Sequence, residues 1–90
     1  MEQRDLADVV SDISEAVRRA GHPDKAAWLD DRADDLRSGD PGVQRATEVQ
    51  LRGVANGMGG LTDIWYGSPQ EAHRVGALID LMWQAIKPEQ

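Results

Sequence analysis

The sequence predicts an all-α protein, an up-and-down four-helix bundle, and three observations carry that prediction. Apolar residues recur at three- and four-residue spacing in four separate segments. Each segment is bounded by proline, glycine or a short polar capping residue. No run alternates polar and apolar residues long enough to make a strand; Ile64-Trp65-Tyr66 has β-type side chains, but three residues cannot form a sheet alone. Ninety residues make one small domain, with helices expected at about 3–20, 23–38, 41–55 and 69–86 and a loop at 56–68.

The first helix is the clearest. Leu6, Val9, Val10, Ile13, Val17 and Ala20 share one stripe, while Asp5, Asp8, Asp12 and Glu15 face away. Acids lead and Arg18 and Arg19 close, which complements the helix dipole, and Gly21 is the expected stop. His22-Pro23-Asp24 opens the second helix with Pro23 at its first position; Ala26, Leu29, Ala33 and Leu36 form a narrow stripe ending at Ser38-Gly39.

Asp40-Pro41 repeats the start signal for the third helix. Val43, Ala46, Leu51 and Val54 mark its expected inner face, with Thr47 and Gln50 on that same face and Arg45, Glu48 and Arg52 opposite. A buried amide without a partner costs about 1–3 kcal/mol, so Gln50 is expected to bond free backbone groups of the loop that follows. Ser68-Pro69-Gln70-Glu71 starts the fourth helix: Ser68 caps, and Glu71 reaches back as a capping box. Its main stripe is Ala72, Val75, Leu78, Ile79, Met82 and Ile86, widened by Trp83 on one flank and by Leu81 and Ala85 on the other. Only His73, Asp80, Gln84 and Lys87 make a polar face, so this helix is expected at the centre of the bundle or shared with a second copy.

Between the third and fourth helices, the stretch 53–67 holds five of the nine glycines (Gly53, Gly57, Gly59, Gly60, Gly67) and two of the four aromatics. Asn56-Gly57 is expected to end the third helix in a left-handed turn, and the further glycines let the backbone approach another segment closely. Leu61, Ile64 and Met58 would plug the end of the bundle, and Thr62 or Asp63 would bond loop amides. Exposed, Trp65 and Tyr66 form a recognition patch; buried, they form a lid on the core. Gly57-Met58-Gly59-Gly60 lacks the preceding strand and the lysine of a phosphate cradle.

The formal net charge is −6, of which residues 1–40 carry −5 and residues 41–90 carry −1. Without a basic patch, nucleic acid is not an expected partner; an acidic surface steers a basic protein or keeps the chain in solution. The absence of cysteine excludes disulfides and thiolate chemistry. The opening Met-Glu-Gln-Arg-Asp-Leu has no apolar signal region and no run approaches the ~20 residues that span a bilayer, so a cytoplasmic protein without membrane association is expected.

The run Asp30-Asp31-Arg32-Ala33-Asp34-Asp35 has the DDxxDD spacing of a Mg²⁺-diphosphate site, which also needs a large helical cavity and a second acidic motif that this chain lacks; no metal or other cofactor is expected. Its alternatives are a solvated face or a protein-binding surface. The second gains weight from Trp28, which lies on the flank nearest Asp31 and Asp35, as an interface anchor beside a steering field does. Trp28 is otherwise tucked under Arg32 one turn on, or packed against the loop. Catalysis is not expected: His22 and His73 have no metal-ligand spacing, and Ser11, Ser14, Ser38 and Ser68 sit in helix or cap contexts.

The segment Asn56-Gly-Met-Gly-Gly-Leu-Thr-Asp63 resembles a loop of a family of small bacterial proteins of unknown function, running roughly Gly-Gly-Met-Gly-Ser-Phe-Asn-Asp. Gly57, Met58, Gly59 and Asp63 agree; Asn56, Gly60, Leu61 and Thr62 differ. The resemblance covers eight residues and implies a compact bacterial domain and no activity, with Asp63 the residue most prominent in it. The leading expectation is a non-enzymatic acidic module that binds another, basic protein as an immunity protein, antitoxin or inhibitor does, through Trp28, Asp31 and Asp35 with Trp65 and Tyr66. A small-ligand site between Gln50, Gly57, Met58, Gly59 and Asp63 is the second reading. A homodimer through the fourth helix, by Leu81, Ala85 and Trp83, is the third.

Overall fold

Local signals place the helix ends. In the computed structural model, which describes residues 5–56, 61 and 64–86, helix α1 is Leu6–Arg19, α2 is Pro23–Leu36, α3 is Pro41–Asn56 and α4 is Pro69–Ala85, with no strand among the described residues. Gly21 ends α1 at φ +94°; the His22 amide donates to the Val17 carbonyl and the Gly21 amide to that of Arg18, a Schellman closure. The Asp40 side chain accepts from the amides of Gly42 (2.8 Å) and Val43, and that of Ser68 from Glu71 (3.1 Å). The capping box is only half made. The Glu71 carboxylate turns instead to Arg74 and Arg19, which hold it below the usual carboxylate range, Arg74 foremost.

The central helix is α1, not α4. Val9, Val10, Ile13, Ala16 and Val17 are each at most 2 % exposed, because α2 packs on one side of α1 and α4 on the other. The α1–α2 pairing is the most extensive, α4 packs chiefly on α1, and α3 chiefly on α2. The α4 core side chains are Val75, Leu78, Ile79 and Met82, and Ile86 follows as its C-cap; Ala77, Leu81 and Ala85 remain exposed. Leu61 and Ile64 are both buried, as plugs of the bundle should be, whereas Met58 lies outside the described residues.

One polar cluster sits in the α1–α2 seam. Ser14 is fully buried, and its hydroxyl lies 2.6 Å from Asp30 Oδ1 and 2.9 Å from the Ala26 carbonyl, sharing one proton between them. Arg18 donates to the other oxygen of Asp30. The Ser14 hydroxyl and Arg18 hold the Asp30 carboxyl below the usual range, against the opposing effect of partial burial.

The orientation of α3 departs in part from the sequence expectation, and the side chain of Val54, expected on the inner face, lies outside the described residues. Thr47 and Leu51 do face the core, but Val43 (38 % exposed) and Ala46 face out, while Arg45, Glu48 and Arg52 lie half-buried on the inner side. The charged side chains are accommodated there by partners. Arg45 pairs with Glu48, and the Arg52 guanidinium lies 5.8 Å over the Trp83 ring. Thr47 satisfies its buried hydroxyl on the Val43 carbonyl at 2.8 Å. Gln50 is exposed rather than on the core face, its Oε1 accepts from Arg32, and no pairing of its amide with the loop is present among the described residues.

Candidate functional site

Asp24, Trp28, Asp31 and Asp35 follow one another at four-, three- and four-residue spacing, which puts them on one face of α2. The flank between that face and the core is where Trp28 packs. Half-buried against the core, it borders an apolar recess of about 300 Å³ lined by Asp24, Lys25, Trp28, Leu29 and Leu61. The Arg32 guanidinium lies 5.1 Å over the Trp28 ring, donates to Gln50 Oε1 at 2.9 Å and pairs with Asp35 at 3.3 Å. Arg32 therefore ties the tryptophan, the acidic face and α3 together. Stacking under Arg32 and packing toward Leu61 are both true of Trp28.

The acidic run does not act as one field. Asp30 turns toward α1 and is neutralised by Arg18, and Asp35 is paired with Arg32. Asp31 and Asp34 are exposed and have no ion-pair partner among the described residues. Of the two, only Asp31 shares the face of Trp28, and Asp24 joins it there. Among the described residues, no three His, Asp or Glu side chains converge on a cation position. Asp24 and the bond from Arg32 to Gln50 are the parts that sequence reasoning missed. The four-residue step from Asp24 to Trp28 was the available signal for the first; the second depends on α3 lying alongside.

Trp65 and Tyr66, considered together from sequence, separate in the structure. At 64–66 the chain is neither helix nor strand and its side chains alternate: Ile64 goes in, Trp65 out at 64 % exposure, and Tyr66 back to the core edge. The Tyr66 hydroxyl donates to the Leu61 carbonyl at 2.8 Å, and burial pushes its pKa up to about 12. Two anchored neighbours thus hold Trp65 outward. Gln50 is exposed and its Oε1 accepts from Arg32, while Gly57, Met58, Gly59 and Asp63 lie outside the described residues.

Tyr66 gives the first prediction. It is the only tyrosine, so its ionisation can be followed by ultraviolet absorbance without interference from another phenol. A folded pKa raised above its unfolded value of ~10 means that its stabilising contribution is intact below pH ~10 and is lost as pH rises toward 12. Tyr66→Phe is expected to remove that alkaline loss and, by deleting the bond to Leu61, to cost about 0.5–1.5 kcal/mol at neutral pH. A phenol titrating at its ordinary value would show that the Tyr66 anchor is absent in solution.

Among the described residues, no helix is long and apolar enough to cross a membrane. Comparison of the chain with family models, curated proteins and solved structures finds no match.

Proposed function

We propose that this chain is a non-enzymatic protein-binding module whose partner is a basic protein, held in the manner of an immunity protein, antitoxin or inhibitor. The observation that carries this reading is the apolar recess at Trp28, Leu29 and Leu61, opening on the α2 face that presents Asp24 and Asp31. A recess of about 300 Å³ accepts one large apolar side chain, and exposed carboxylates beside it attract the cationic residues flanking that side chain. Trp65 adds a second anchor of the type enriched in interface hot spots. A solvated acidic face accounts for Asp31 equally well, but not for the recess or for a tryptophan propped outward.

The test is capture from lysate of the source cells followed by titration with the purified captured protein. Asp24→Asn/Asp31→Asn is expected to slow association several-fold, and Trp65→Ala to weaken binding by about 30-fold, equivalent to roughly 2 kcal/mol. Raising salt should weaken the wild-type complex, because exposed charges are screened beyond ~10 Å at 0.1 M. All three sites are exposed, so unchanged helicity by circular dichroism checks that only the surface was altered. An acidic captured protein, or binding indifferent to salt and to both variants, would refute the reading.

A further inference from the structure

Trp28 stands as a wall with different surroundings on its two sides. On one side lies the apolar recess of about 300 Å³, bordered by Asp24 and Lys25 one helical turn back and by Leu29 and Leu61. On the other lies Arg32, one turn on, whose guanidinium sits 5.1 Å over the indole and does not border the recess. Arg32 is held from two helices: it donates to Gln50 Oε1 on α3 at 2.9 Å and pairs with Asp35 on α2 at 3.3 Å. Its Nε is buried with no hydrogen-bond partner among the described residues, a cost that an uncharged side chain of similar length would not incur. A methionine would cover the ring as well, so packing alone does not account for a guanidinium here.

We propose that Arg32 sets the chemistry of what the recess accepts: a neutral apolar side chain of a partner protein, whose adjoining cation is met by Asp24. A tryptophan ring attracts cations through the negative charge of its faces. Arg32 already draws on that charge from one side, and a second cation on the other would be repelled through the ring. The recess side of Trp28 is thereby left as a hydrocarbon wall, continuous with Leu29 and Leu61. The partner's positive charge is directed to the rim instead. Asp24 is exposed there without an ion-pair partner among the described residues, whereas Lys25 is partly buried and has an interaction of its own. Asp31, seven residues on and about 10 Å along the helix, carries the acidic edge past Trp28. The complement is a side chain the size of leucine or phenylalanine with lysine or arginine beside it. This inference rests on the reading of the chain as a module for a basic protein, and adds which part of that protein enters and why.

Small probes test it on the full chain without a captured partner. Phenethylammonium joins an apolar ring to a cation, phenylacetate joins the same ring to an anion, and tetramethylammonium is a cation with no apolar arm. Each is titrated to about 50 mM, a range suited to millimolar binding. The readout is the Trp28 indole N–H resonance, one of three from tryptophan, identified by its loss in Trp28→Phe. Wild type should bind phenethylammonium at least about three-fold tighter than phenylacetate and give no saturable response to tetramethylammonium. Asp24→Asn should remove the preference between the first two. Arg32→Met should bring tetramethylammonium to within about three-fold of phenethylammonium, and Arg32→Lys, which keeps a cation on the ring, should not. Circular dichroism checks that each variant keeps its helicity, and the wild-type order and Asp24→Asn decide the matter should Arg32→Met not fold. A purely structural Arg32 would weaken every probe alike in Arg32→Met and leave their order unchanged, which overturns the proposal. So does saturable tetramethylammonium binding by the wild type, or a Trp28 resonance that no probe moves. Capture of a basic protein that leaves this resonance unmoved would uphold the binding reading and overturn this inference alone.

Discussion

Leu29→Ala is expected to lower the free energy of unfolding by about 2–5 kcal/mol, the range for removing a leucine from a closed core. Leu29 is 1 % exposed at the middle of α2, where α1 and Leu61 converge on it, so the surroundings cannot collapse into the space without moving a helix. A domain of this size holds roughly 5–13 kcal/mol in total. The loss therefore takes a large share of it, and the thermal midpoint should fall by roughly 10–30 °C. Urea denaturation of the variant beside Leu81→Ala makes the comparison: Leu81 is 42 % exposed on α4, and its truncation should cost less than about 1 kcal/mol. Similar losses at both positions would mean that α2 does not pack as described. Because Leu29 also lines the recess at Trp28, a variant still folded at low temperature should bind a partner differently from wild type as well.

The second large effect is expected at Ser14. Its hydroxyl is buried and serves Asp30 and the Ala26 carbonyl, so Ser14→Ala should cost about 1–2 kcal/mol at neutral pH. The pH dependence identifies the cause. Asp30 titrates below its unfolded value, so its contribution is present above the ordinary carboxylate pKa and is lost as pH falls through the lower, folded one. The Ser14 hydroxyl is the largest influence holding it down, and Arg18 the next favourable one. Ser14→Ala should therefore move the Asp30 titration up toward the ordinary range and flatten the acid limb of the stability curve. Carboxyl-carbon NMR resolves the first effect and urea midpoints between pH 2 and 7 the second. A variant that loses stability but keeps the Asp30 titration unchanged would show that Ser14 matters only through its packing.

Helix positions and ends were legible in the sequence because their causes are local. Gly21, Asp40, Pro41 and Ser68 act within about four residues of themselves, and the stripe of α1 contains enough large apolar residues to have one possible inside. What only the tertiary structure decided is which of two comparable faces turns inward. In α3, Val43, Ala46 and Val49 on one side weigh about as much as Thr47 and Leu51 on the other, so neighbours decide. Trp83 and Arg32 supply partners for Arg52 and Gln50, and the charged side goes in while the neutral side goes out. The same holds for the acidic run, divided by Ser14 and Arg18 on one side and Arg32 on the other, and for Trp65 and Tyr66, separated by a hydroxyl that reaches the Leu61 carbonyl. Periodicity states that a residue lies on a given side of its own helix; only the atoms brought alongside determine whether that side is core, contact or solvent.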